Sequence, residues 1–116
     1  MIIDMKTHKM NLQPRYFNFI KDGTKRIELR LYDEKRSQIE LGDTIEFANP
    51  EGDKFTARVI GLLRYQTFAE LFKDFDIAVL ADASMSKDEL LNVLGEFYTL
   101  EDQAKYGVVG IKLELL

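Results

Sequence analysis

A chain of 116 residues with 46% hydrophobic and 31% charged residues is typical of one globular domain with its own hydrophobic core. Cysteine is absent and histidine occurs once, which excludes disulfides, thiolate metal sites and histidine-rich metal centres. The sequence has no apolar run of the ~18 residues that cross a bilayer, and its first residues lack a signal-peptide pattern. We therefore expect a cytoplasmic protein without a metal, a cofactor or a membrane partner.

The net charge of −4 is unevenly distributed along the chain. Residues 15–36 contain seven basic and four acidic residues, whereas residues 65–116 contain four basic and ten acidic ones. The first segment can therefore offer a basic surface to a polyanion on an otherwise acidic molecule. A chance distribution of solvated charges explains the same asymmetry equally well.

The first third of the chain predicts a strand, a helix and a second strand. Residues 8–12 alternate between polar and apolar side chains, which is typical of a strand. The helix has Pro14 in its first turn and ends before Gly23, which can adopt the left-handed conformation. Residues 23–31 combine dense charge with alternating apolar residues, which predicts a half-buried strand that carries charged side chains.

The middle of the chain predicts a loop and then a β-hairpin. Residues 32–41 mix charges without a clear period, which is typical of a loop. Residues 44–48 and 54–63 have strand composition, and the Asn, Pro and Gly residues between them form a strong turn signal. Gly61 predicts a bulge or bend in the longer strand.

The last half of the chain predicts helices and a closing strand. Thr67, Ser86 and Thr99 each precede an acidic residue by three positions, which is the pattern of a helix N-cap. We expect helices after the first two caps, the second over residues 87–98, and a single turn after the third. Residues 106–115 predict the last strand. Its core-facing residues are expected to be Val109, Ile111, Leu113 and Leu115.

Strands at both ends and helices inserted late indicate an α+β domain, not a doubly wound sheet. We expect a small mixed β-barrel with adjacent termini, one helix after the first strand and two or three helices before the last. The domain is expected to span residues 8–116, after an N-terminal extension of residues 1–7.

The order of these elements and four short motifs resemble the ASCH domain, a relative of the PUA-like β-barrels, over residues 8–115. The motifs are Gly23-x-Lys25-x-x-Glu28-x-Arg30, Gly42-Asp43, Tyr65-x-Thr67-Phe68 and Tyr106-Gly107-Val108. The resemblance implies a barrel whose cleft carries Lys25, Glu28 and Arg30 near its mouth. It also implies binding of RNA or of modified nucleotides, and some members of the family are hydrolases, ribonucleases among them.

One bacterial branch of this family removes an acyl group from N4-acetylcytidine with the motif lysine, a threonine near the arginine and a separate glutamate. Here Lys25 matches the lysine, but Glu28 takes the place of the threonine. The separate glutamate has no clear counterpart, since only Asp82 lies in the corresponding region. This departure argues against the same deacetylase chemistry in this chain.

Three functions therefore stay open. The first is a binding module for RNA or a nucleotide, and its expected ligand-binding residues are Lys25, Arg26, Glu28, Arg30 and, by stacking, Tyr65 and Tyr106. The second is a hydrolase acting on RNA or a modified nucleoside, with Lys25 and Glu28 as an acid–base pair. The third is a protein-interaction domain without a nucleic-acid ligand. We favour binding because no complete catalytic constellation can be assembled from the sequence.

Each candidate residue also has a plain structural interpretation. Glu28 and Arg30 on one face of a strand can form an ordinary ion pair, worth ~0–1 kcal/mol if exposed. Tyrosines at strand ends can simply pack, and Thr67 is better explained as a helix cap than as a nucleophile. Strict alternation places Lys25 on the opposite face, so it can join the other two charges only if the backbone bends near residues 24–26.

Overall fold

Residues 5–116 are described by a computed structural model that contains five strands, five α-helices and one 3₁₀-helix. The strands are β1 (Thr7–Asn11), β2 (Ile27–Leu31), β3 (Thr44–Ala48), β4 (Lys54–Tyr65) and β5 (Val108–Leu115). The α-helices are α1 (Pro14–Lys21), α2 (Phe68–Asp74), α3 (Ile77–Leu80), α4 (Lys87–Gly95) and α5 (Leu100–Tyr106), and the 3₁₀-helix is Arg36–Gln38. In the described part of the chain, no helix combines the length and apolar character of a membrane span.

The five strands form one mixed sheet in the order β1-β3-β4-β5-β2. β1 pairs in parallel with β3, and the other pairs are antiparallel. Although β1 and β2 are the two edges of this sheet, Arg30 Nη2 on β2 donates a hydrogen bond to the Asn11 carbonyl oxygen on β1 at 3.1 Å. The edges can meet only if the sheet curls, so the strands form a half-barrel with a seam between β1 and β2. This arrangement confirms the predicted α+β fold.

Apolar side chains cover both faces of the sheet. The concave face and α1 share one buried cluster, which includes Met10, Phe17, Ile20, Ile45, Phe47, Val59, Val109 and Ile111. The convex face packs against α2, α3 and α4 in a second cluster, which includes Ile27, Leu29, Phe68, Leu71, Leu80, Leu90 and Val108.

Leu115 was predicted to face the core but is 42% exposed. Residues 114–116 are all exposed, so the buried cluster on the concave face ends before the last residues of β5.

The helices that separate β4 from β5 differ in number and length from the prediction. There are four of them, because the one-turn helix α3 forms in a segment whose type the sequence left open. α4 ends at Gly95, earlier than predicted, and α5 has seven residues where a single turn was expected. Tyr106 therefore ends a helix and does not open the last strand.

The helix caps, the end of α1 and the bulge in β4 lie where the sequence predicted them. Thr67, Ser86 and Thr99 accept hydrogen bonds from backbone N–H groups three residues later, at 3.2, 3.1 and 3.1 Å. Gly23 ends α1 with a φ of 85°, in the left-handed region that favours glycine. The pairing of β4 with β5 shifts register between Val59 and Gly61, which confirms the expected bulge.

The position of the N-terminal strand departs from the expectation of adjacent termini. β1 lies beside β3, so two strands separate it from β5. Residues 1–4 of the predicted extension lie outside the described residues, and β1 begins at Thr7. The domain boundary after residue 7 stays a prediction.

Asp43, which is 1% exposed, holds β1 in place. Its Oδ1 accepts a hydrogen bond from the Lys6 N–H at 3.2 Å, and its Oδ2 accepts from the Glu40 N–H at 3.0 Å and lies 2.8 Å from His8 Nε2. Burial acts to raise the pKa of this carboxyl, but the hydrogen bonds from His8, Glu40 and Lys6 together hold it below its ordinary value. The ionised carboxylate therefore joins β1 to the start of β3.

We predict that Asp43→Asn lowers the free energy of unfolding by about 1–3 kcal/mol at neutral pH, because an amide places N–H groups against N–H donors. The folded pKa of Asp43 is depressed. Its stabilising contribution is therefore complete above its unfolded pKa of about 3.9 and is lost as the pH falls through the folded value. Urea unfolding across this pH range should show the difference from wild type shrinking in acid. Glu51→Gln, in the exposed hairpin turn, is the control, and equal stability of Asp43→Asn and this variant would contradict the assignment.

Candidate ligand-binding site

A concave cleft of about 170 Å³ lies at the seam of the half-barrel, between the end of β1 and the concave face of β2. The last turns of α4 and the residues after it form its opposite wall. The lining residues are Asn11, Leu12, Gln13, Tyr16, Lys25, Glu28, Leu29, Arg30, Leu90, Val93, Leu94, Phe97 and Tyr98. The cleft is therefore largely apolar with three charged groups, a composition common in small-ligand sites.

The alternation of β2 explains why charged side chains face this cleft. Ile27 and Leu29 point to the convex face, where they pack in the helical cluster. Glu28 and Arg30 point to the concave face, beside Ile111 and Val109 on the neighbouring strand. Because β2 is an edge strand, its concave face opens onto the seam, and the two charges lie where the barrel is not closed by backbone pairing.

Lys25 joins these two charges because it precedes the strand. β2 begins at Ile27, so the predicted strand over residues 23–31 started too early. The Lys25 N–H donates to the Phe19 carbonyl oxygen at 2.9 Å, and the Arg26 N–H donates to the Val79 carbonyl oxygen at 2.8 Å. These two N–H groups therefore bond to α1 and α3, and pairing with β5 reaches back only to the Arg26 carbonyl oxygen, which accepts from the Leu113 N–H at 2.9 Å. Lys25 lies before this pairing, so strand alternation does not apply to it. The sequence analysis required the backbone to depart from strand geometry near residues 24–26 for Lys25 to join Glu28 and Arg30, and the structure shows this departure.

The three charges converge on the Glu28 carboxylate. Its Oε2 accepts a hydrogen bond from Arg30 Nε at 3.0 Å and lies 2.9 Å from Arg30 Nη2 in an ion pair. Its Oε1 lies 3.6 Å from Lys25 Nζ. Lys25 Nζ donates to two backbone carbonyl oxygens, that of Ile27 at 2.6 Å and that of Leu80 at 2.5 Å. The structural interpretation from the sequence was an ordinary ion pair, weak if exposed, but Lys25 is 3% and Glu28 5% exposed, so these charges are buried.

Burial shifts the pKa of Lys25. Loss of solvent around the ammonium lowers its pKa from 10.5 to about 8, although the negative charge of Glu28 acts in the opposite direction. Arg30 adds a smaller lowering effect. Lys25 is therefore mostly protonated at neutral pH, but it titrates far closer to neutrality than an ordinary lysine.

Glu28 and Arg30 favour each other's charged form. Burial acts to raise the pKa of Glu28, but the charges of Arg30 and Lys25 outweigh it and hold this pKa below its ordinary value. Burial likewise acts to lower the pKa of Arg30, and Glu28 together with the nearby Tyr98 hydroxyl raises it. The cleft therefore contains two cations and one carboxylate at neutral pH, a net positive charge on an acidic protein.

The sequence analysis missed the aromatic and amide groups around the cleft. Tyr16 on α1 and Tyr98 after α4 both line it and are partly buried. Tyr98 was assigned to the end of a helix, so nothing in the sequence pointed it at the charges. Asn11 at the end of β1 and Gln13 at the N-cap position of α1 also line the cleft, and the Gln13 side chain makes no cap hydrogen bond.

Three of the predicted ligand-binding residues lie outside this cleft. Arg26 is exposed, with Nε 3.5 Å from the Gly23 carbonyl oxygen. Tyr65 donates its hydroxyl to Asp74 Oδ2 at 2.6 Å. Tyr106 lines a separate, open groove with residues 33–35 and Gln38. The structure therefore unites Lys25, Glu28 and Arg30 but brings neither tyrosine to them. Tyr65 packs against the helical cluster on the other face of the sheet, and Tyr106 ends α5 beside the separate groove.

Within residues 5–116, no three side chains of the metal-ligating types cluster in a way that could hold an ion. The concave face of a curled mixed sheet, open at a seam that carries a lysine, a glutamate and an arginine, defines a PUA-like barrel with a potential ligand cleft. Residues 10–116 match the sequence profile of the ASCH domain. The chain therefore belongs to the ASCH domain family, as the motifs predicted.

Solved structures agree with this family. The chain is 41% identical to the hypothetical protein PH0355, whose crystal structure superposes with a TM-score of 0.85 and covers 95% of this chain and 99% of that one. A protein from Pyrococcus furiosus, solved by solution NMR, is 39% identical, with a TM-score of 0.78 over 95% of this chain and 97% of that one. A mutant of ZmASCH from Zymomonas mobilis is 15% identical, with a TM-score of 0.68 over 97% and 70% of the two chains, and shows likeness of fold alone. No protein with a curated description matches the chain in sequence.

We predict that Lys25 titrates near pH 8, well below the ordinary lysine value of ~10.4. NMR titration of the lysine ε-carbons measures this directly. Glu28→Gln should lower the pKa of Lys25 further, because Glu28 acts to raise it. Glu51→Gln should leave it unchanged. If Lys25 titrated near the ordinary lysine value of ~10.4, the desolvation described above would be contradicted.

Proposed function

We propose that this protein is a binding module for RNA or a nucleotide, and that the cleft at the seam holds the ligand's ring. The observation that carries the proposal is the convergence of Lys25, Glu28 and Arg30 on the wall of a largely apolar cleft lined by two tyrosines. Apolar surface for stacking combined with a few fixed polar groups is the combination by which proteins hold a base.

The size of the cleft favours one ring over a larger ligand. Its volume of about 170 Å³ is below the roughly 300–1,000 Å³ of pockets that enclose drug-sized molecules. A single unstacked base fits this description, with its sugar and phosphate left outside. Tyr16 and Tyr98 offer aromatic surface for contact with the base, and such stacking tolerates different sequences because every base has a flat face.

Charge outside the cleft suits the rest of a nucleotide. Arg15 and Lys21 are exposed on α1, and Arg26 is exposed just beyond it. Arg26 follows Lys25 in the sequence, and α1, which carries the other two, accepts the Lys25 N–H hydrogen bond at Phe19. These exposed cations can neutralise phosphates that extend from a bound base. Arg26 thereby keeps the binding role expected from the sequence, outside the cleft. Membership of a family with a PUA-like fold, often linked to RNA binding, supports the same proposal.

One observation favours a hydrolase as the second candidate. Lys25 has a pKa lowered to about 8 and lies 3.6 Å from the Glu28 carboxylate, so the two groups would form a proton-transfer pair if they approached to hydrogen-bond distance. However, the backbone oxygens of Ile27 and Leu80 already take two of the three N–H groups of the ammonium. Those bonds hold the ammonium in place, which suits binding better than proton transfer.

Tyr16→Leu should weaken binding of a labelled single-stranded RNA hexamer by roughly 5- to 150-fold, because stacking on one aromatic ring is worth ~1–3 kcal/mol per base. Fluorescence anisotropy at low and high salt measures the affinity, and the thermal midpoint of each variant checks the fold. Tyr106→Leu, in the separate groove, is the matched control and should bind like wild type.

Two outcomes would contradict this proposal. If wild type bound neither the hexamer nor nucleoside monophosphates even at low salt, a protein-interaction domain would be the better description. If Tyr106→Leu weakened binding and Tyr16→Leu did not, the ligand would lie in the groove beside Gln38 and not in the seam.

Turnover separates the two candidates. We expect wild type to leave N4-acetylcytidine and a short labelled RNA unchanged, as followed by chromatography over hours. Turnover that disappears in Lys25→Arg and in Glu28→Gln, with the fold retained, would establish the hydrolase and reject a purely binding role.

A further inference from the structure

The cations of the cleft are directed at the protein and not at a ligand phosphate. Arg30 uses Nε and Nη2, the edge that would hold a phosphate side-on, to bind Glu28, and Nη2 also donates to the Asn11 carbonyl oxygen. The Tyr98 hydroxyl lies beside the same guanidinium. Lys25 donates to two backbone oxygens and has its third N–H left for the side facing Glu28. A phosphate in the cleft would have to break these bonds.

Glu28, in contrast, retains capacity to accept a hydrogen bond. An ionised carboxylate has about four acceptor positions. Arg30 occupies Oε2, to which its Nε donates at 3.0 Å and beside which its Nη2 lies at 2.9 Å. Oε1 lies 3.6 Å from Lys25 Nζ, beyond hydrogen-bond distance, and Glu28 lines the cleft. Oε1 of this buried, ionised carboxylate therefore retains an acceptor position for a ligand in the cleft.

The chemistry of that position is selective. A buried carboxylate attracts an N–H or NH₂ donor and repels a phosphate or another carboxylate. The edge of a base often carries a hydrogen-bond acceptor next to its donor. Lys25 Nζ lies beside Glu28 Oε1 and can donate to that acceptor while Oε1 accepts from the donor. The deep end of the cleft therefore fits the hydrogen-bonding edge of a neutral heterocycle.

We propose that Glu28 is the specificity-determining residue of this cleft, accepting a hydrogen bond at Oε1 from an exocyclic amino group of the bound base. The proposal rests on the proposed function and adds which part of the nucleotide enters the cleft. The base edge binds at Glu28 and Lys25, and the phosphates stay outside, near Arg15 and Arg26. A ring without a donor on that edge leaves the carboxylate unsatisfied and is rejected.

Matched nucleosides test this directly. Adenosine is compared with purine riboside, and cytidine with pyrimidin-2-one riboside, since the second member of each pair lacks only the exocyclic amino group. Ligand-observed NMR at millimolar nucleoside measures affinity for the wild-type protein. In at least one pair the amino-bearing member should bind roughly 10- to 150-fold more tightly, the range expected for a hydrogen bond to a charged group. Inorganic phosphate should not displace it.

Glu28→Gln should reduce that preference to less than about threefold, because the neutral amide can turn either an acceptor or a donor toward the ring. Glu51→Gln, on the exposed hairpin turn, should keep the wild-type preference. If Glu28→Gln does not fold, the wild-type nucleoside series still decides.

The two levels of the hypothesis fail differently. Equal affinity within both pairs, or displacement of the nucleosides by inorganic phosphate, would overturn the role of Glu28 while leaving RNA or nucleotide binding standing. Absence of binding to any nucleoside, nucleotide or RNA hexamer would overturn the proposed function itself.

Discussion

The ion pair between Glu28 and Arg30 is the interaction on which the seam of the half-barrel depends. Arg30 binds the carboxylate through two nitrogens and reaches across to the Asn11 carbonyl oxygen, so one guanidinium joins β2 to β1. The same carboxylate faces Lys25, whose ammonium holds the Leu80 carbonyl oxygen at the end of α3. Both edge strands and α3 therefore contact one another around the buried Glu28 carboxylate, and these contacts form one wall of the cleft.

Stability alone does not explain such an arrangement. Each buried ion loses several kcal/mol of hydration, and hydrophobic side chains of similar volume often close a space equally well. Removing one partner is different, because it leaves an uncompensated charge and costs about 3–5 kcal/mol. Burying Glu28 and Lys25 therefore costs hydration free energy, and removing either one destabilises the fold. Charges held in this way on a cleft wall are better explained by what they offer a ligand than by what they contribute to folding.

Local chemistry made much of the fold predictable. Proline and glycine mark the ends of α1, hydroxyl caps begin α2, α4 and α5, and Gly61 places the bulge. The site was only half predictable. The motif identified Lys25, Glu28 and Arg30, but the turn of Lys25 toward them depends on hydrogen bonds to residues far along the chain. The position of Tyr98 and the parallel pairing of β1 are likewise tertiary, and no local pattern encodes them.

The seam also explains why charge and cleft coincide. An exposed strand edge invites pairing with other chains, and charged residues pointing inward from an edge strand are one way of preventing it. Glu28 and Arg30 occupy that position on β2. Protection of an edge, however, requires only that a charge be present. It does not require a carboxylate 5% exposed, a lysine 3% exposed with its ammonium bound to two carbonyl oxygens, or an open cleft beside them. Those additional features favour a recognition site, built where the barrel lacks backbone pairing and a ligand can reach its interior.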